Sequence, residues 1–165
     1  MPDTAHRPPS PKTEGRAHAS ELTVKARRNG ADWSFELQAD GKATAEVTYS
    51  KDALGLHKRD WHEADFMLDD PSGALAFHPD KFTAIWVARG TAAAAPPYPM
   101  APSRDHGVVP LSSRPKRLRV RNDNAEPCLL SFRLNFVAAE GPGDTIVAFL
   151  DPIMNNQNGG SGSRN

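Results

Sequence analysis

The chain has 165 residues, 38% of them hydrophobic, and its 20 basic and 20 acidic side chains balance to zero formal charge. This length suits one domain, and the charge balance removes any whole-chain pull toward nucleic acid or anionic membrane. A single cysteine, Cys128, excludes an internal disulfide, a four-cysteine zinc ribbon and a Cys-x-x-Cys redox pair.

Residues 1–20 carry Pro2, Pro8, Pro9 and Pro11 among charged and small residues, with no apolar run. Such a segment buries too little surface to offset its ordering entropy, so a disordered N-terminal tail is expected. It lacks the apolar core of a secretory signal. No stretch approaches the ~20 apolar residues of a membrane span. A cytoplasmic protein is the expectation. Residues 21–155 are expected to form one domain, and 156–165, rich in Gly, Ser and Asn, a flexible tail.

Within the domain, Leu22–Ala26 reads as a first strand, and Asn29-Gly30 as a tight turn. Trp33, Phe35 and Leu37 alternate with polar residues in a second strand. Asp40-Gly41 turns the chain again, and Ala45–Tyr49 alternates as a third strand. Short turns make these three an antiparallel meander. Lys51–Glu63 reads as a helical turn or irregular loop anchored by Leu54, Leu56 and Trp61, and Asp69–Gly73 as a turn. Phe82–Val87 is nearly all apolar and bounded by Pro79 and Gly90, so it is expected to be a strand buried on both faces. Residues 91–115 hold Pro96, Pro97, Pro99, Pro102 and Pro110, and read as one long loop.

The most regular stretch is Arg117–Val137. Leu118 and Val120 alternate with Arg117, Arg119 and Arg121; after Asn122–Pro127, Leu130, Phe132, Leu134 and Phe136 alternate with Ser131, Arg133 and Asn135. It is expected to form a hairpin with one apolar face. Thr145–Leu150 follows as the last strand, ended by Asp151-Pro152. About seven strands and few helix signals predict an immunoglobulin-like antiparallel β-sandwich, with a small closed β-barrel as the alternative. The expected core is Val24, Trp33, Phe35, Leu37, Val47, Tyr49, Phe82, Trp86, Leu118, Val120, Phe132, Leu134, Phe136, Ile146 and Leu150.

Four groups of residues could carry chemistry. His57, His62 and His78, with Asp60 beside them, are candidate metal ligands by side-chain type. The five-residue step from His57 to His62 places them on a common face of neither a helix nor a strand. Cys128 has no histidine after it, which removes a cupredoxin-type copper loop. Arg117, Arg119 and Arg121 form a stripe that could meet phosphates, but Leu118 and Val120 stand where stacking aromatics would be needed. A charged solvent face, opposed by Glu36, Glu46 or Asp123, is the plainer account. In the Pro-rich loop, Tyr98, Met100 and His106 are candidate contact residues. No nucleophile elbow, phosphate loop or His-Glu-x-x-His motif is present. The expectation is a non-enzymatic protein with no catalytic residue and no cofactor.

The C-terminal third resembles small, functionally uncharacterised bacterial β-sandwich proteins that finish in an Asp-Pro-x-x-Asn element. The resemblance lies in Val-Arg-Asn-Asp-Asn, Ser-Phe-Arg-Leu-Asn-Phe and the closing Asp151-Pro152-Ile153-Met154-Asn155, and covers roughly residues 115–155. It implies an immunoglobulin-like sandwich of intracellular bacterial origin and brings no activity. The function expected is therefore a binding or accessory module, working by protein–protein contact or self-association through loops or sheet edges. Polyanion binding through the arginine stripe is the alternative, and a metal site or enzyme built on His57, His62 and His78 is third.

Overall fold

The structure is a computed structural model and describes residues 15–89, 107–125, 127–141 and 143–157. The described residues are 64% strand and 3% helix, in two sheets that do not close into a barrel, so the sandwich holds over the barrel.

The first sheet has the order β3-β2-β1-β5-β9-β8. Its strands are β1 (Ala17–Asn29), β2 (Asp32–Ala39), β3 (Lys42–Ala43), β5 (Trp61–Asp69), β8 (Val108–Arg114) and β9 (Arg117–Asn122). β1 therefore begins inside the segment expected to be a tail. It pairs with β2 across the two-residue loop Gly30-Ala31, where only Gly30 has a positive φ (65°). One positive φ at the first loop position suits a type II′ turn. At the next turn both Asp40 and Gly41 are left-handed, at 52° and 75°.

The expected three-stranded meander breaks there. β4 (Glu46–Ser50) leaves for the second sheet, where it runs parallel to β12 (Ile153–Gln157), with Val47 opposite Met154. β1 and β5 are also parallel, with Val24 opposite Leu68. The sandwich is thus mixed, where an antiparallel one was expected.

The second sheet is organised by β10 (Cys128–Ala138), which is 11 residues long. β12 and β11 (Ile146–Leu150) lie along one of its edges; β7 (Ile85–Arg89) and β6 (Leu75–Phe77) lie along the other. Asp151-Pro152 separates β11 from β12, and the Pro152 carbonyl accepts from the Phe132 amide at 3.1 Å.

β9 and β10 belong to different sheets, so Arg117–Val137 is a corner between layers and not a hairpin. Asn124 makes the corner, with φ at 46°. Val108–Arg114, expected in the long loop, is an edge strand. Its Pro110 sits at a register shift before Ser112, where a missing donor does no harm. Residues 91–106 of that loop, with Tyr98, Met100 and His106, lie outside the described residues, as do 1–14, Gly90 and 158–165; Asn156 and Gln157, assigned to the flexible tail, are in β12.

The run Phe82–Val87 divides in two. Asp80 caps one helical turn, α1 (Lys81–Ala84), accepting from the Phe82 amide at 3.0 Å and the Thr83 hydroxyl at 2.9 Å. That turn swings Phe82 outward, where it is 39% exposed rather than in the core.

The core lies between the sheets. Val24, Leu37, Phe66, Leu118 and Val120 of the first face Val47, Tyr49, Phe132, Leu134, Phe136 and Met154 of the second. Phe66 and Phe132 meet at a ring separation of 5.8 Å, and Phe35 stacks on Phe136 at 5.0 Å. Each fully buried side chain of this size contributes about 1.5–3 kcal/mol by leaving water. Four expected core residues, Trp33, Phe35, Ile146 and Leu150, are only partly buried. All four line the side where β2 and β11 run.

Candidate functional site

The outer face of the first sheet carries the arginine stripe, and its charges are matched. In the β5–β9 ladder Asp65 lies opposite Arg119. The Asp65 carboxylate accepts from Arg117 at 2.6 Å and from Arg119 at 2.9 and 3.2 Å. Burial raises the Asp65 pKa, but the two guanidiniums outweigh it and hold the carboxyl down at about 2. Arg121 pairs with Asp123 at 2.7 Å and lies 4.1 Å from the Trp61 ring centre. Among the acids expected opposite the stripe, only Asp123 does this; Asp65 was not anticipated. These guanidiniums already have carboxylate partners, which takes support from the polyanion reading.

The histidines do not share a site. His57 sits in the loop before β5, where its amide donates to Asp60 at 2.7 Å. Asp60 also accepts from the Arg16 amide at 2.9 Å, and these two backbone bonds lower its pKa. His78 accepts from the Asp80 amide at Nδ1 (3.0 Å), so its Nε2–H is left to donate to the Asp144 carbonyl at 3.3 Å. His62 points into the sandwich and is 1% exposed. Among the described residues no group of three His, Cys, Asp or Glu side chains is placed to hold a metal ion.

Around His62 lies a buried polar cluster that sequence reasoning missed. Asn124 donates to the Tyr49 carbonyl at 3.1 Å and the Gln157 carbonyl at 3.0 Å, and its Nδ2 lies 3.4 Å from His62 Nε2. Asn122 donates to Asn156 at 2.6 Å and accepts from the Asn124 amide at 3.0 Å. Burial, with the nearby charges of His18 and Lys51, lowers the His62 pKa to about 4, and burial raises that of Tyr49. These bonds tie β4, β9 and β12 together, which is a structural task. The available signal was that Asn122 continues the inward positions Leu118 and Val120.

A different arrangement stands at the β2–β11 side. A trough of about 660 Å³ is lined by Trp33 and Phe35 of β2 and by Arg133, Asn135, Val147 and Phe149 of the second sheet. A hollow of about 350 Å³ shares Phe35 as a wall and reaches Leu150 and Pro152. Arg133 grips Asp151 through two bonds, 2.7 and 3.1 Å, and lies 3.8 Å from the Phe149 ring centre. Asn135 is fully buried; its amide donates to the Thr83 carbonyl at 2.7 Å while its Oδ1 has no partner among the described residues.

The strand bordering this trough is open. Among the described residues β11 pairs only with β10. Its sequence, Ile-Val-Ala-Phe-Leu, holds no charge and no proline, and Val147 and Phe149 are 49% and 48% exposed. Sheet edges ordinarily carry a device against pairing with other chains. Most of the others carry a charge, a proline or a very short length: β3 has two residues, β4 carries Glu46, β8 has Pro110, β2 carries Asp32 and Glu36, and β7 ends in Arg89; β11 has only a register shift, at Val147, in its ladder with β10. The β6 edge is occupied by Lys116, whose Nζ donates to the Leu75 carbonyl at 2.7 Å. Sequence patterning identified β11 as a strand but not as an edge, because sheet order is set by tertiary pairing. Neither the models of known protein families nor the curated proteins contain a match to this chain.

Proposed function

We propose that this chain is a non-enzymatic binding module that works by protein–protein contact, and that its contact element is the open edge of β11. The observation that carries this reading is a five-residue uncharged strand whose Val147 and Phe149 are half exposed beside an open trough. Strand edges recognise other chains through main-chain hydrogen bonds, with alternate side chains giving specificity. The aromatic walls Trp33 and Phe35 would supply much of the buried area. An immunoglobulin-like identity goes with this reading, supported by the two facing sheets; a bacterial origin rests on the sequence resemblance of residues 115–155 alone. A cytoplasmic setting is supported by the lone thiol of Cys128, which suits a reducing compartment; no helix among the described residues is long and apolar enough to cross a membrane.

The test is a comparison of wild type with Val147→Lys/Phe149→Lys in affinity capture and sedimentation. The double variant is expected to keep its fold by circular dichroism and lose the associations that wild type makes. A wild type with no association of any kind, or associations untouched by the double variant, overturns the proposal.

A further inference from the structure

We infer that the partner at the β11 edge is a second copy of this chain, joined antiparallel about a two-fold axis at Ala148. This rests on the reading of β11 as the contact element and adds the identity of the occupant.

Three observations lead there. First, the trough beside β11 is bounded by Trp33, Phe35 and Ile146, and the adjoining hollow by Leu150, four apolar residues that the isolated chain leaves half covered. Their alternation is that of core residues, and a strand laid along β11 would complete their burial. Second, β11 is complementary to itself. A two-fold interface brings the same patch from each copy together, residue i meeting j and j meeting i. Antiparallel pairing centred on Ala148 sets Val147 against Phe149 of the other copy, and Ile146 against Leu150. Both are branched-aliphatic pairings with apolar partners of the kind that stabilise cross-strand neighbours.

Third, electrostatics permits the approach. The strand has no charge, and the net charge of the chain is zero, so no long-range repulsion opposes two copies meeting. At the end of the strand Asp151 is already neutralised by its two bonds to Arg133. In this register it meets Thr145 of the other copy, a hydroxyl donor, and not a second carboxylate.

The register can be tested by charge exchange. Val147→Lys alone and Phe149→Glu alone are each expected to convert a sedimenting dimer into a monomer with an unchanged circular dichroism spectrum. Mixing the two variants is expected to restore a dimer, because the lysine of one copy then faces the glutamate of the other while the second Val–Phe pair stays native. An independent readout is Ala148→Cys in a Cys128→Ser background. Facing residues of an antiparallel pair lie ~4.5–5.5 Å apart at Cα, inside the ~4.4–6.8 Å range of a disulfide, so mild oxidation should give a covalent dimer. A wild type that stays monomeric at every concentration, a dimer indifferent to both single variants, or a mixture that does not re-form overturns the inference. If wild type is monomeric yet still captures proteins in an edge-dependent way, only the second-copy inference fails and the binding-module proposal stands.

Discussion

Asp65 and Arg119 stand directly opposite each other in the β5–β9 ladder, and the carboxylate takes both Nε and Nη2 of the guanidinium, at 2.9 and 3.2 Å. Arg117 adds a third bond at 2.6 Å. Asp65 is the better buried partner, 14% exposed against 41% and 44% for the arginines. Removing both arginines therefore strands a carboxylate that is largely out of water. Arg117→Ala/Arg119→Ala should lower the unfolding midpoint at neutral pH. Urea unfolding checks it. The pH dependence has a definite sign. The folded pKa, about 2, lies below the ordinary 3.8; the stabilisation is complete above the ordinary value and is lost as pH falls toward the folded one. Asp65→Asn should flatten that acid limb.

His62 acts in a higher pH window. Its pKa falls from 6.5 to about 4 on folding, first through burial and then through the charges of His18 and Lys51. The unfolded chain binds the proton more readily, so stability is complete above 6.5 and declines as pH drops toward 4. The loss across that window should be about 3 kcal/mol. His62→Gln keeps a polar group near Asn124 and Tyr49 but cannot titrate. Its urea midpoint should vary less with pH between those limits than that of wild type, and an identical slope would show that His62 is not the source.

The corner between the sheets depends on one residue. Asn124 combines a left-handed backbone with buried bonds to the Tyr49 and Gln157 carbonyls. Asn124→Ala should lose about 2–3 kcal/mol, from backbone strain together with two abandoned acceptors. Asn124→Gly relieves the strain alone and should recover about 1 kcal/mol of that loss. Equal losses in the two variants by denaturant unfolding would assign the whole effect to the hydrogen bonds.

Alternation in the sequence revealed which side chains of Leu118–Phe136 face inward, and all of Leu118, Val120, Leu130, Phe132, Leu134 and Phe136 are buried. It could not show that the two strands sit in different sheets, since a period of two describes faces and not neighbours. The central strand β5 was missed for a physical reason. Its inward positions are His62, Ala64, Phe66 and Leu68, and a buried imidazole followed by a small alanine gives a weak hydrophobic signal. Glu63 and Asp65 on the outer face made the segment look solvated. The β11 site was harder to read. Thr145–Leu150 announced a strand, but its open edge follows from the long-range order of β10, β11 and β12.

Phe82 illustrates how a capping residue overrides hydrophobicity. The apolar run from Phe82 to Val87 suggested burial, yet Asp80 starts a helical turn and Phe82 is 39% exposed. Phe82→Ser should then change stability by no more than about 0.5 kcal/mol. Asp80→Ala removes the bonds to the Phe82 amide and Thr83 hydroxyl and should cost about 1 kcal/mol. Thermal or urea unfolding of the pair gives the comparison, and a larger loss for Phe82→Ser would return that ring to the core.

The edge of β11 leads to a concentration-dependent expectation for hydrogen exchange. Amides of a strand paired on one side divide into those bonded to the neighbour and those facing outward. In β11 the bonded ones reach β10, and the outward ones have no strand partner among the described residues. In dilute protein, peptides spanning Ile146–Leu150 should therefore show one fast and one slow class of amide. Raising the concentration should slow the fast class while leaving β9 and β5 unchanged, because a second strand would bond only the outward amides. Val147→Lys should keep the fast class fast at all concentrations. Protection that is independent of concentration would mean that those amides are covered within a single chain, and both the edge reading and the two-fold pairing would fall.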